Sequence, residues 1–76
     1  MKYIIRAHAN LRHYLPDRGE TVEISTEERK ISDILLIIGI PDSEIMQVKV
    51  GSAIVSKEFI VGDFDTIELF PIMAGG

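Results

Sequence analysis

The stretch ISDILLIIGIP, residues 31–41, decides the fold class, because it predicts one amphipathic helix in a chain whose other segments alternate like strands. Gly39 suits a left-handed helix cap, and Pro41 prevents the helix from continuing. Four apolar residues recur at i, i+3, i+4 and i+7, which places them on one stripe: Ile31, Ile34, Leu35 and Ile38. We therefore expect a helix that packs this stripe against a sheet.

Two features of this helix leave alternatives open. Ser25 and Glu28 have the spacing of a capping box, which favours an early start, although the periodic stripe begins only at Ile31. Leu36 and Ile37 widen the apolar surface beyond one stripe. We expect this excess to pack against a curved sheet, and contact with a partner protein is the alternative.

The residues before the helix predict two strands that form a hairpin with a wide connection. Residues 2–9 alternate as a strand, and residues 20–24 follow with Val22 and Ile24 on the inward face. Residues 10–15, which lie between them, predict a short helical turn. The inward face of the first strand has four members: Tyr3, Ile5, Ala7 and Ala9.

The residues after the helix predict three more strands. Residues 47–50 and 53–55 form a hairpin around a Gly-Ser turn, and the last strand covers residues 66–70. Two side chains of the last strand should point inward: Ile67 and Leu69. Pro71 should end its regular pairing. The order β-β-α-β-β-β predicts an α+β fold, with one main helix packed on one face of a small mixed sheet.

Length and composition restrict the function. The chain has 76 residues and a mass of 8.5 kDa, which is enough for one domain but leaves no room for a deep, enclosed active site. Cysteine is absent, and His8 and His13 do not form a metal cluster. The net charge of −4 and a pI near 5.0 argue against nucleic acid or an anionic membrane as partners. Because no segment reaches the ~20 apolar residues of a membrane span, we expect a soluble cytoplasmic protein.

The end of the sequence, Gly75-Gly76, is the one segment that suggests chemistry. No phosphate-binding glycine loop or nucleophile motif occurs elsewhere in the chain. Two residues without side chains allow an extended segment to enter a channel that any Cβ would block. A diglycine alone is also typical of a chain end without a role. Its position directly after a final strand favours the functional interpretation.

Four segments carry a resemblance to a known family: ANLR (9–12), ISDIL (31–35), GIP (39–41) and LFPIMAGG (69–76). They resemble, in order, the segment after the first strand, the helix start, the helix exit and the chain end of the sulfur-carrier branch of ubiquitin-like β-grasp proteins. This MoaD/ThiS family contains the small subunit of molybdopterin synthase and the thiamine-biosynthesis sulfur carrier. The ending resembles the molybdopterin-synthase type. Phe64 stands where the family commonly has glycine, in the turn before the last strand.

The resemblance implies a β-grasp domain over residues 1–71 and a flexible tail over residues 72–76, with the carboxyl group of Gly76 as the reactive group. An α-carboxyl group is ionised at neutral pH and is a poor electrophile, so it must be activated. In the family, an E1-like adenylating enzyme uses ATP to adenylate this glycine, and a sulfur donor then converts it to a thiocarboxylate. The carrier itself binds no cofactor. Three further residues would enter the enzymes' channels with it: Met73, Ala74 and Gly75.

The resemblance also implies a surface that docks the activating enzyme and the large subunit of molybdopterin synthase or another sulfur acceptor. Phe70 alternates with the inward Leu69, so its ring should face outward as an anchor, and a core aromatic is the alternative. Ile54 matches an apolar contact position, and ordinary core packing is the alternative. His8 should lie beside the last strand, either as a surface histidine without a role or as a contact residue. Pro71 completes the predicted interface.

We therefore expect a sulfur carrier for molybdopterin or tungstopterin synthesis, which acts as the small subunit of the synthase and has no side-chain active site of its own. Three alternatives stay open. The first is a sulfur carrier for thiamine, tRNA or another thiolation pathway. The second is a ubiquitin-like modifier that is conjugated to lysines through Gly76. The third is a binding module with an inert tail.

Overall fold

The structure, a computed structural model, describes residues 1–16 and 19–72. Its strands are β1 (Lys2–Ala7), β2 (Thr21–Ser25), β3 (Ile45–Val50), β4 (Ala53–Val55) and β5 (Thr66–Pro71). The helix α1 covers Ile31–Ile38, and two 3-10 helices cover Ala9–Tyr14 and Asp42–Glu44. The predicted order of strands and helix is confirmed. Within the described residues, no helix is both long and apolar enough to cross a bilayer.

The described strands form one five-stranded sheet in the order β2-β1-β5-β3-β4. β1 and β5 run parallel, whereas the other neighbouring strands are antiparallel, so the sheet is mixed as predicted. Ala7 pairs with Leu69, which brings the end of β1 beside the end of β5. Two segments that lie far apart in the sequence therefore meet where the chain leaves the sheet.

The core lies between α1 and one face of the sheet. The predicted inward residues of β1 and β5 are buried there: Tyr3, Ile5, Ala7, Ile67 and Leu69. Val22 and Ile24 of β2 are only partly buried, because β2 is at the edge of the sheet. The hydroxyl of Tyr3 donates a hydrogen bond of 2.7 Å to the carbonyl of Glu28, which satisfies this polar group inside an apolar core.

β1 ends two residues earlier than predicted. Ala9 was expected to continue its inward face, but it is exposed and has φ 52° at the start of the first 3-10 helix. The chain turns here and buries Leu11 and Leu15, so the predicted short helical turn is confirmed. Alternation alone could not reveal this boundary, because Ala9 fits either face of a strand.

The helix begins at Ile31, so the start at the Ser25–Glu28 capping box is wrong. The amide of Ile31 donates to the carbonyl of Phe59 at 3.1 Å, and that of Ser32 donates to Lys57 at 2.9 Å. The first amides of a helix need partners, and here a distant loop supplies the acceptors instead of a capping side chain. At the other end, Gly39 has φ 86°, and its amide donates to Leu35, which confirms the predicted cap.

The expectation that Leu36 and Ile37 pack against the sheet is wrong. Leu36 is 78% exposed and Ile37 is 55% exposed, whereas Ile31, Ile34 and Leu35 are buried. Successive helical residues turn by about 100°, so a single sheet covers the stripe and leaves these two side chains outside it. Their exposure keeps the alternative of a partner contact open.

Candidate functional site

The end of β5 carries the predicted anchor. Buried and half-buried residues alternate along β5, so Phe70 lies on the sheet face opposite the core and Leu69 lies in the core. Glu68 shares the face of Phe70, and Lys49 of β3 pairs with Glu68. The Lys49 ammonium lies 5.6 Å from the centroid of the Phe70 ring, within range of a cation–π interaction. Phe70 is therefore half-buried among polar neighbours and is not part of the core.

His8 of the segment after β1 contacts both Phe70 and Glu68. Its ring stacks on Phe70 with a centroid distance of 4.5 Å and an angle of 9° between the planes. Its Nε2 lies 2.6 Å from Glu68 Oε2, and its backbone amide donates to the carbonyl of Leu69 at 3.1 Å. The prediction that His8 lies beside the last strand is confirmed. The hydrogen bond holds the His8 ring and the stacking restricts the Phe70 ring, and a side chain that is ordered in advance loses less entropy in any contact it makes.

Ile54 is an exposed apolar residue on the same sheet face. It pairs with Lys49, and 67% of it is exposed, so the alternative of core packing is wrong. A depression of about 290 Å³ lies beside it and is lined in part by Met46 and Lys57. Isolated exposed apolar residues are common, but a group beside a depression is typical of a docking surface.

Met46, which sequence reasoning missed, is exposed because β3 contains a β-bulge. Ile45 pairs with Pro71 and Gln47 pairs with Phe70, so Met46 is an extra residue opposite a single step of β5. Bulges of this kind commonly redirect a side chain close to functional sites. The sequence signal was absent, because Met46 fits the alternation of an ordinary strand.

The prediction that Pro71 ends the regular pairing of the last strand is wrong. It is the last residue of β5, pairs with Ile45 and is buried. β5 is not at the edge of the sheet, but the bulge at Met46 makes the local pairing irregular, and irregular pairing tolerates a residue without an amide hydrogen. A buried Pro71 offers a partner little surface, and its place in the interface stays a prediction.

A further hydrogen bond holds the first residue after β5, Ile72, where the chain leaves the sheet. The amide of Ile72 donates to the carbonyl of Glu44 at 3.3 Å, and the Glu44 carboxylate accepts a hydrogen bond from the hydroxyl of Tyr14. This bond to the carboxylate raises the pKa of Tyr14, so the hydroxyl keeps its proton and remains a donor. The four residues predicted to enter an enzyme, Met73, Ala74, Gly75 and Gly76, lie outside the described residues.

The described residues contain no group of three or more His, Asp or Glu side chains that could hold a metal ion. The structure brings four of the residues named above into one cluster: Phe70, His8, Glu68 and Lys49. Ile54 and Met46 extend the same region of the surface, and Ile72 is the first residue after the sheet. Such an arrangement supports recognition by another protein.

Comparisons with known proteins identify the class. A family model described as the ThiS family matches residues 6–76. The chain thus belongs to the ThiS family of small ubiquitin-like sulfur carriers and modifiers, which are not themselves catalytic and generally work with E1-like activating enzymes and acceptor enzymes.

Among solved structures, the crystal structure of SAMP1 from Haloferax volcanii is similar, with a TM-score of 0.75 and 16% sequence identity over 100% of both chains. At this identity the similarity concerns the fold, and it confirms the predicted ubiquitin-like β-grasp. A search of curated proteins found no match.

Proposed function

We propose that the chain is a sulfur carrier for molybdopterin synthesis and acts as the small subunit of the synthase. The observation that carries the proposal is the ending LFPIMAGG, residues 69–76, in a chain of the ThiS family. Sulfur delivery to thiamine or tRNA uses the same chemistry at the chain end, so the ending is what favours this particular pathway.

In this proposal the carboxylate of Gly76 attacks the α-phosphate of ATP in an E1-like enzyme and releases pyrophosphate. A donor that supplies hydrosulfide then attacks the acyl carbon of the adenylate, and the new C–S bond forms as the C–O bond to AMP breaks. AMP and a proton are released, and a thiocarboxylate remains. The activating enzyme supplies the contacts to ATP, and the carrier supplies only its main-chain carboxyl group. Glycine is required at the last two positions because an enzyme channel that admits bare backbone excludes a Cβ. Met73 and Ala74 would enter the same channel.

The face around Phe70 and Ile54 supports the docking step. Phe70 is held by His8 and Lys49, and Ile54 is exposed beside a depression. Apolar anchors surrounded by polar residues are typical of interfaces in which a few residues supply most of the affinity. We propose that this face binds the activating enzyme first and the large synthase subunit afterwards, with the reactions taking place in the cytoplasm.

The test is an intact mass measurement of the purified protein after incubation with ATP, a sulfur source and candidate activating enzymes. The proposal expects one oxygen to be replaced by sulfur at Gly76, followed by loss of that sulfur when the large synthase subunit and its pterin precursor are added. Gly76→Phe is the matched variant, and it should fold normally but remain unmodified.

Other outcomes separate the alternatives. Covalent adducts with lysines that survive denaturation would indicate a modifier, and sulfur transfer only to a thiazole or tRNA product would indicate another pathway. Full biological activity after deletion of Gly75-Gly76 would indicate a binding module. The proposal would also be wrong if the natural protein, in its active form, had a mass that includes residues beyond Gly76.

A further inference from the structure

Three residues link the point where the chain leaves the sheet to the 3-10 helices Ala9–Tyr14 and Asp42–Glu44. We call these residues the exit clamp: Tyr14, Glu44 and Ile72. The hydroxyl of Tyr14 donates to the Glu44 carboxylate, and the Glu44 carbonyl accepts the amide hydrogen of Ile72 at 3.3 Å. Glu44 therefore uses its side chain on one partner and its backbone on the other. Neither contact involves the docking face, which is the sheet face that carries Phe70 and Ile54.

Tyr14 and Glu44, the two residues that hold Ile72, are themselves held in place by the fold. Tyr14 ends the first 3-10 helix between the buried residues Leu11 and Leu15 and packs against the core. Glu44 ends the second 3-10 helix, where its amide donates to the carbonyl of Pro41 at 3.1 Å. The next residue, Ile45, pairs with Pro71. The clamp thus holds Ile72 at a defined place relative to the sheet.

We propose that Tyr14 and Glu44 are positioning residues that set the direction and reach of residues 73–76 when the carrier docks on its activating enzyme, an inference that rests on the proposed function. An extended chain spans at most ~3.3–3.6 Å per residue, so four residues beyond Ile72 reach about 14 Å. With so short a segment, the position of its first residue decides whether the terminal carboxyl arrives at the reacting phosphate. Small displacements of a reacting group lower reaction rates strongly.

The clamp is tested first by amide hydrogen exchange of Ile72, which needs no enzyme. Tyr14→Phe and Glu44→Ala both remove the side-chain hydrogen bond between Tyr14 and Glu44 and leave the Glu44 carbonyl in place. Without that side-chain bond the 3-10 helix that ends at Glu44 opens more easily, so the exchange rate of the Ile72 amide should rise by roughly 3- to 10-fold. Glu44→Gln keeps an acceptor and should restore most of the protection. Tyr3→Phe is the matched control, since it removes a tyrosine hydroxyl bonded to Glu28 in another part of the fold. It should leave the Ile72 amide unchanged.

The second readout is ATP-dependent adenylation by the activating enzyme. Tyr14→Phe should lower kcat by roughly 3- to 10-fold, because the carboxyl group is presented less often, whereas KM should stay within about twofold because the docking face is intact. Glu44→Ala should lower kcat by the same factor. The double variant should have the same kcat as either single variant, because all three remove the same hydrogen bond between Tyr14 and Glu44.

Two results would overturn the inference. One is an Ile72 amide that exchanges equally fast in the unmodified chain and in Tyr14→Phe. The other is a kcat for Tyr14→Phe equal to that of Tyr3→Phe while the unmodified chain is adenylated normally. Failure of the unmodified chain to be adenylated would refute the proposed function instead, and the exchange measurement would still decide whether the clamp exists.

Discussion

Truncation of Ile54 to alanine should weaken docking without affecting the fold. Ile54 is 67% exposed in β4 and lies on the sheet face that carries Phe70. Because most of its surface is already in water, the loss of its outer carbons should change the free energy of unfolding by less than about 0.5 kcal/mol. The change in binding should be much larger, because an enzyme that docks on this face buries the exposed part.

The magnitude follows from the exposed fraction. Full burial of an isoleucine side chain contributes about 1.5–3 kcal/mol, and two thirds of that is roughly 1–2 kcal/mol. At about 1.4 kcal/mol per factor of ten, the dissociation constant should rise by about 5- to 30-fold. Alanine keeps the β-carbon, so we expect the lower half of this range, about 5- to 15-fold.

The assay is the KM for the carrier in ATP-dependent adenylation, together with the affinity for the activating enzyme by titration calorimetry. Leu36→Ala is the matched control, because Leu36 is 78% exposed on α1, which covers the opposite face of the sheet. It should leave both quantities unchanged. Equal weakening by Leu36→Ala, or an unchanged KM for Ile54→Ala, would show that the docking face was assigned to the wrong side of the molecule.

Two further predictions concern the fold. Gly39 and Phe64 both have positive φ, at 86° and 68°, and left-handed backbone costs a residue with a side chain about 1–2 kcal/mol. Gly39→Ala should therefore lower the thermal midpoint, by about 4–8 °C per kcal/mol, whereas Phe64→Gly should raise it; a shift of the same sign in both would contradict this account. Burial raises the pKa of Tyr3, so its hydroxyl holds the proton more tightly in the folded protein than in the unfolded chain. The stability linked to this proton is present below about pH 10 and is lost as the pH rises through the raised pKa. Urea unfolding should show a steeper alkaline loss for the unmodified chain than for Tyr3→Phe, and parallel curves would refute the assignment.

Much of the fold could be predicted because it depends on short-range patterns. The stripe of α1, its cap at Gly39 and the inward residues of β5 all follow from periodicity over a few residues. The same patterns failed where distant residues decide the outcome. The start of α1 depends on carbonyls of Lys57 and Phe59, and the extra residue Met46 appears only when β3 is paired with β5.

The candidate site shows the same division. The outward position of Phe70 follows from alternation, but His8 reaches it only because β1 and β5 are parallel neighbours. Glu68 was not predicted, since nothing near it in the sequence marks it as a partner for a histidine 60 positions earlier. The pairing of Tyr14 with Glu44 was missed for the same reason, because 30 positions separate the two residues.

The sequence by itself determined the order of the elements and most of the inward faces, because backbone geometry and side-chain polarity act over a few neighbouring residues. Its motifs indicated the family. Only the tertiary structure decided which surfaces stay open, how Phe70 is held and where Ile72 leaves the sheet. These depend on the order and direction of the strands, and apolar alternation is compatible with several such orders. The physical reason is that the residues of a strand determine which of its faces points inward, whereas contacts along the whole chain determine which strands lie beside it.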